Sequence, residues 1–242
     1  MFLQPASPRY LGESRGCGRT HERESLGVCT PGRELTLGAR ASSIDPRHIP
    51  AAALAALIVA YVLLFTFLAD AQFEAHHTSV FDLGVYDQVI WNTAHGRLLT
   101  YSAEPEFGSN FLATHLQPIL ILLAPLYWFW DDVRVLFVAQ TLALALGAIP
   151  VFALTLRRTH SHFAAMVLSA SYLLLPALEA ANLFDFHPET FAPALCLTIF
   201  LLLDILRPYE HGTFPQWIAL WLCVLLTLAL KEDMALIVAT IG

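Results

Sequence analysis

The chain has 242 residues, 57% of them hydrophobic and 14% charged, with mean hydropathy +0.59 and a formal net charge of −7. That balance excludes an ordinary soluble domain. With no basic cluster to meet phosphates, it also excludes a nucleic-acid partner. The four cysteines show no metal-type pairing: Cys17 and Cys29 stand in a polar leader, and Cys196 and Cys223 sit in apolar runs as small hydrophobes.

Residues 1–48 hold six of the twelve glycines, four prolines and twelve charges without apolar periodicity, which predicts a disordered leader. It is no signal peptide, because the apolar run starts too late. Residues 49–242 are then expected to form a transmembrane domain. Ile49–Ala69 offers 21 residues without a charge, enough to cross a hydrocarbon core of ~30 Å at ~1.5 Å per residue. Seven arginines precede it, so the positive-inside rule places the N-terminus in the cytoplasm and Asp70 outside. The expectation is a multi-pass protein of the cell's inner (plasma) membrane, with the lipid bilayer as its partner.

A long outer loop follows, carrying Asp70, Glu74, Asp82, Asp87, Glu104 and Glu106 against the single base Arg97. Within it, Asp82–His95 predicts a helix closed by Gly96 at C′, with Asp82 near its N-cap. Phe81, Val85 and Val89 share one side and Tyr86, Ile90 and Trp91 another, which suits a helix lying along the membrane surface. Leu116–Trp130 is apolar but short, and Pro118 and Pro125 break it. If it stays outside, the spans at Val133–Leu156, Phe163–Leu178, Phe191–Leu206 and Phe214–Leu230 place Arg157, Arg158 and Arg207 inside, with Arg134 and Lys231 outside. If it spans, every later loop changes sides. The Arg157-Arg158 pair and the two prolines favour the first arrangement. The last apolar stretch ends nine residues after Asp233, too few to cross, so the chain is expected to be the N-terminal part of a longer protein.

In that arrangement three acidic groups share the outer side: Asp82 with Asp87, the run Asp185-Phe186-His187-Pro188-Glu189, and Glu232-Asp233 behind Lys231. Ionisable groups at membrane depth are costly, which makes their clustering a candidate site. Asp82 and Asp87 diverge by about 140° on a helix and are not a paired-carboxylate dyad. Asp82 reads either as an N-cap or as a general base or metal ligand. Asp87 reads as solvated face or as a second catalytic carboxylate. Asp185, His187 and Glu189 alternate, so an extended segment aims all three one way and suits a divalent cation such as Mn²⁺ or Zn²⁺. A merely polar loop, with Glu189 in the first turn of the next helix, is the other reading. His115 reads as a contact to phosphate or hydroxyl, or as an interfacial histidine. Lys231 reads as a membrane exit or as a partner for a lipid phosphate.

Phe81–Gln88 (FDLGVYDQ), His115-Leu-Gln-Pro118, Phe186-His-Pro-Glu189 and Lys231-Glu-Asp233, in this order among apolar spans, resemble a prokaryotic family of predicted membrane proteins, domain of unknown function 2079. The likeness runs from about residue 49 onward. That family in turn resembles the GT-C superfamily of polytopic glycosyltransferases. The resemblance implies an all-α, GT-C-like helical bundle whose long first outer loop contains juxtamembrane helices. It further implies transfer of a sugar from a polyprenyl-phosphate donor on the outer face. In it Asp82 takes the place of the first-loop acid, the His115–Pro118 segment heads the juxtamembrane helix, and Asp185–Glu189 sits in the second outer loop. On that reading Asp82 is expected to deprotonate the acceptor, and Arg97, His115 or Lys231 to neutralise the donor phosphate. A transporter or flippase for lipid-linked or small polar solutes, and a non-catalytic membrane protein, are the alternatives.

Overall fold

The computed structural model describes residues 49–79, 81–102, 109–206 and 212–241, so the leader, Glu104, Glu106 and Arg207 lie outside the described residues. The described chain is helical, and its only strand pairing is a single bridge between Thr100 and Asn110. Its helices are α1 (Ile49–Glu74), α2 (Asp82–Ala94), α3 (Ile119–Leu123), α4 (Leu126–Phe129), α5 (Arg134–Leu146), α6 (Ala148–Thr159), α7 (His162–Leu173), α8 (Pro176–Leu183), α9 (Ala192–Leu206), α10 (Phe214–Leu228) and α11 (Met234–Ile241). Among the described residues three helical stretches are long and apolar enough to cross a membrane: Pro50–Glu74, Arg134–Thr159 and Pro188–Leu206. The pair α7 and α8, bent by 42°, makes a fourth if counted as one span.

The 26-residue stretch Arg134–Thr159 joins α5 to α6 through Gly147. A Cβ on Gly147 would lie 2.1 Å from the Tyr172 hydroxyl, which donates to the Leu144 carbonyl at 3.0 Å. Glycine is what lets α7 approach this closely. The expected span over 163–178 is instead broken at Leu174–Leu175, because Pro176 opens α8 and a proline restricts the residue before it to extended backbone, where Leu175 sits.

Ion pairs mark the two ends of the bundle. At one end Arg134 Nε lies 2.7 Å from Asp70 Oδ1, and the same guanidinium contacts Glu74 and, at 3.5 Å, Asp132. The end of α1 and the start of α5 therefore meet, and all that lies between them returns to the same face. The α3–α4 segment, Ile119–Phe129, would rise only ~16 Å as a helix, about half of the hydrocarbon thickness. It does not cross. At the opposite end Arg157 Nε bonds Asp204 Oδ2 at 2.9 Å and Arg158 contacts the same carboxylate, joining the ends of α6 and α9.

The largest core lies at the Arg134 end. Val89 and Ile90 of α2 are fully buried there with Leu99, Phe111, Leu120, Leu136, Phe186 and Leu230. This corrects the expectation of a helix lying on the membrane surface. Val85, Tyr86, Val89 and Ile90 are all buried, because α3 and α4 pack on α2 and Leu99, Tyr101 and Phe111 join the same core. Phe81 alone of the two expected stripes stays exposed at more than half of its surface. By contrast Leu63 and Phe67 of α1 and Trp221 of α10 are mostly exposed, as side chains facing lipid are.

Candidate functional site

The start of α2 is fixed by Ser79. Its hydroxyl accepts from the Asp82 backbone N–H at 3.1 Å, and its own N–H donates to Asp185 Oδ2 at 2.8 Å. The N-cap position is Phe81, which offers no side-chain cap, and a serine three residues before Asp82 meets the Asp82 N–H instead, so the N-cap reading of Asp82 is corrected. Among the described residues no hydrogen bond or ion pair engages the Asp82 carboxylate. At the other end of the helix Gly96 takes φ +82°, in line with the C′ glycine read from the sequence.

A buried glutamine of α5 holds the second acidic segment. Gln140 Oε1 accepts from the His187 N–H at 2.9 Å and from Thr190 Oγ1 at 3.3 Å. Its Nε2 faces the carbonyls of Ala181, Asn182 and Phe184 at 3.2 to 3.4 Å. The segment is extended at His187 (φ −140°, ψ 126°), but Pro188 opens a 3₁₀ turn, Pro188–Phe191, that carries Glu189 out of the alternating register. The trio expected to converge on a metal therefore divides. Asp185 holds Ser79, and His187 Nδ1 lies 2.9 Å from the Asp185 carbonyl, to which it must be the donor. Glu189 Oε1 pairs with Lys231 Nζ at 2.8 Å. Among the described residues no three His, Cys, Asp or Glu side chains form a group able to hold a metal ion.

What does converge is a cavity of about 180 Å³ lined by Phe81, Asp82, Tyr86, Phe111, His115, His187, Glu189 and Lys231, among others. Tyr86 packs edge-on against Phe111, Phe186 and His187, with ring centroids 5.5 to 5.8 Å apart. His115 Nδ1 sits 3.3 Å from Glu232 Oε1, and the Leu116 N–H donates to Glu232 Oε2 at 3.1 Å. Gln117, fully buried, points Nε2 at Glu189 Oε1 from 3.4 Å. The Ile119 N–H donates to the Ala229 carbonyl at 2.9 Å, so the segment before α3 and the end of α10 close the cavity together.

The charges follow from these contacts. The hydrogen bond to Glu189 raises the Lys231 pKa above the ordinary lysine value. Glu232 is held below the usual carboxylate range, first by its own backbone N–H and then by His115. Burial pushes Asp185 up, against the Ser79 N–H that lowers it, and the nearby Asp82 charge adds to the rise.

Five of the eight side chains singled out in the sequence thus share one cavity: Asp82, His115, His187, Glu189 and Lys231. Asp185 braces it from behind. Asp87 points elsewhere and accepts from the Tyr127 hydroxyl at 2.5 Å. Arg97 lies over the Trp91 ring, 5.4 Å from its centroid. Sequence reasoning missed Ser79, Tyr86, Gln117 and Gln140. Tyr86 and Gln117 lay inside two of the motifs carrying the family likeness, which was the available signal. Ser79 and Gln140 had none.

A family model described as predicted membrane protein (DUF2079) matches residues 76–242, a range that holds every residue lining the cavity. No curated protein and no solved structure matches the chain.

Proposed function

The chain belongs to the DUF2079 family of predicted membrane proteins, and on that premise we propose a membrane glycosyltransferase that takes its sugar from a polyprenyl-phosphate donor at the cavity face. The observation that carries this reading is the Asp82 carboxylate, unengaged among the described residues, in one small cavity with His115, His187, Glu189 and Lys231. In the reaction an acceptor hydroxyl oxygen attacks the anomeric carbon. The bond from that carbon to the phosphate oxygen breaks, and the phosphate leaves with the electron pair. Asp82 takes the acceptor proton, a step that general-base catalysis accelerates by about 10²–10⁴-fold.

Of the three cations expected at the phosphate, Arg97 lies over Trp91 and Lys231 is paired with Glu189. His115, with a side chain 41% exposed, turns Nδ1 to Glu232 at 3.3 Å, and its Nε2 is the group we assign to a phosphate at the rim. The seven arginines of the leader, with Arg157 and Arg158 at the end of the bundle away from Arg134, support a cavity facing outward from the inner membrane and a cytoplasmic N-terminus.

The test is turnover of a labelled polyprenyl-phosphate sugar by the full-length protein in proteoliposomes. Asp82→Asn is expected to lower kcat at least about 100-fold. Turnover equal to the parent's would remove Asp82 from the role, and no turnover by the parent with any donor would remove the reading. One observation favours a transporter instead: the 42° break between α7 and α8, since transporters build their sites from interrupted helices. Solute flux in proteoliposomes without any donor would select that alternative.

A further inference from the structure

We propose that a groove between α1 and α5 binds one phospholipid with an ammonium headgroup, phosphatidylethanolamine being the simplest, with an acyl chain along the groove and the amine on Glu74. The proposal goes beyond the transferase reading and stands without it.

Shape comes first. The groove measures about 570 Å³, within the ~300–1,000 Å³ of pockets that hold small molecules. Val62, Thr66 and Asp70 line it at intervals of four residues, on one face of α1, and Trp130, Arg134 and Val138 face them at the same spacing. Asp70 and Arg134 form its polar mouth, and the two valines lie at the other end. Eight helical residues from Val62 to Asp70 rise ~12 Å, most of one leaflet of a hydrocarbon core ~30 Å thick. Leu63 and Phe67, which also line the groove, are 67% and 68% exposed, so it opens sideways, towards lipid. Trp130 at the mouth stands where tryptophan sits at a membrane–water boundary. An apolar trough of nearly one leaflet's depth, topped by charges, is the outline of a lipid chain and its headgroup.

Charge then decides which headgroup. Each nitrogen of the Arg134 guanidinium already faces a carboxylate: Nε faces Asp70 at 2.7 Å, Nη2 meets Glu74, and Nη1 faces Asp132 at 3.5 Å. One cation thus answers three anions. Farther out, Asp131 accepts from the Trp91 indole, and Arg97 lies over the same ring, so those two charges offset each other. His76 and His77 follow Glu74 along the chain and add nothing while neutral, which leaves the mouth with two negative charges in excess. A headgroup of net negative charge meets that excess and finds no guanidinium nitrogen without a carboxylate. A zwitterionic headgroup brings an ammonium that cancels part of it. Glu74 is the most exposed of the three acids, at 63% against 43% for Asp70 and 34% for Asp132, and so receives the amine. The same excess disfavours a polyprenyl phosphate here, which keeps the groove apart from the donor proposed above.

Glu74→Gln separates this reading from plain lipid contact. The carboxylate that meets the ammonium is removed, and Nη2 of Arg134 loses its anionic partner in the same step. The preference should therefore shift from the ammonium lipid towards an anionic one. Arg134 keeps Asp70, so the contact between α1 and α5 survives the change.

The experiment is native mass spectrometry of the full-length protein at pH 8, released from detergent micelles and titrated with phosphatidylethanolamine or phosphatidylglycerol of identical acyl chains. The parent should bind phosphatidylethanolamine at least about tenfold more tightly. Glu74→Gln should weaken that lipid and strengthen phosphatidylglycerol. Val138→Trp, at a lining position outside the buried core, should fill the groove and weaken phosphatidylethanolamine at least about tenfold, with the unfolding temperature unchanged.

Phosphatidylglycerol bound as tightly as phosphatidylethanolamine by the parent would overturn the proposal, as would no measurable binding of either. A preference that survives Glu74→Gln would remove Glu74 from the headgroup, and affinity indifferent to Val138→Trp would remove the chain from the groove. Either result is equally fatal. Should Val138→Trp fail to fold, the shift of preference in Glu74→Gln still decides.

Discussion

Asp82 and Asp87 lie about 1.4 helical turns apart and lead different chemical lives. Asp87 is partly buried and accepts from Tyr127 at 2.5 Å, and burial raises its pKa above the ordinary 3.8 against that hydrogen bond. A carboxyl whose pKa is raised by folding binds its proton more tightly in the native state. Its contribution to stability is then fullest below the ordinary value and is lost as pH rises through the folded one. Asp87→Asn keeps an acceptor for Tyr127 and buries no charge. Its unfolding temperature should therefore gain on the parent's as pH climbs from the carboxylate range to neutral, with the turnover proposed above unchanged. A stability gap that is flat with pH would contradict this account of Asp87. Tyr127→Phe strands the carboxylate without its donor and should cost roughly 1–3 kcal/mol, measured by chemical denaturation. The sequence already separates the two acids, since five positions on a helix turn them apart. Which of them meets a cavity is decided by Tyr127, forty residues along the chain, and no local pattern announces that.

At the scale of elements, caps and buried amides set the order of the site. Ser79→Ala removes the hydroxyl that accepts from the first N–H of α2 and should cost about 1 kcal/mol. The Ser79 backbone N–H on Asp185 survives the change, so α2 should fray at its first turn while the Asp185 segment stays in place. Faster hydrogen exchange confined to residues 82–84 would show this. Gln140→Leu strikes deeper. It strips the His187 N–H of its acceptor and three carbonyls of their shared donor, for an expected loss of roughly 2–3 kcal/mol. Exchange at the His187 amide is the direct readout, and full protection there would contradict Gln140's role as the brace. Spans and the Gly96 terminus were readable because length and a glycine at a left-handed position act locally. A single glutamine in an apolar run says nothing of five contacts to a distant segment. The bend at Pro176 was visible as a proline, yet Pro150, in the first turn of α6, lies within the stretch Arg134–Thr159 that still counts as one span.

For the whole molecule the decisive question was whether residues 116–130 cross the membrane, and charge counting left a margin of one base. Arg134 resolves it through contact: a guanidinium bound to Asp70 and Glu74 cannot stand on the other side from the end of α1. With Cys17, Cys29, Cys196 and Cys223 removed, single cysteines placed at His77 and at Asp131 should react with an impermeant thiol reagent from the same side, and one at His160 from the other. Labelling of 77 and 131 from opposite sides would overturn this topology. Why the sequence left the matter open is physical. Hydropathy measures the cost of leaving water, and an apolar segment buried against α2 satisfies it as well as one that faces lipid.

The cavity draws on the two ends of the described chain, for Lys231 follows Asp82 by 149 residues. During synthesis at about 5–20 residues per second the first wall therefore waits ~7–30 s for the last. Through that interval α2 has left the ribosome while Gln140, Glu189 and Lys231 arrive one after another, and Glu189 stands without its ammonium partner until residue 231 is made. A protein cut short anywhere before residue 231 would keep its earlier membrane crossings and lack the site. Synthesis past residue 231 is thereby a condition of the site itself, and a product clipped before it and lodged in the bilayer would be silent rather than half active.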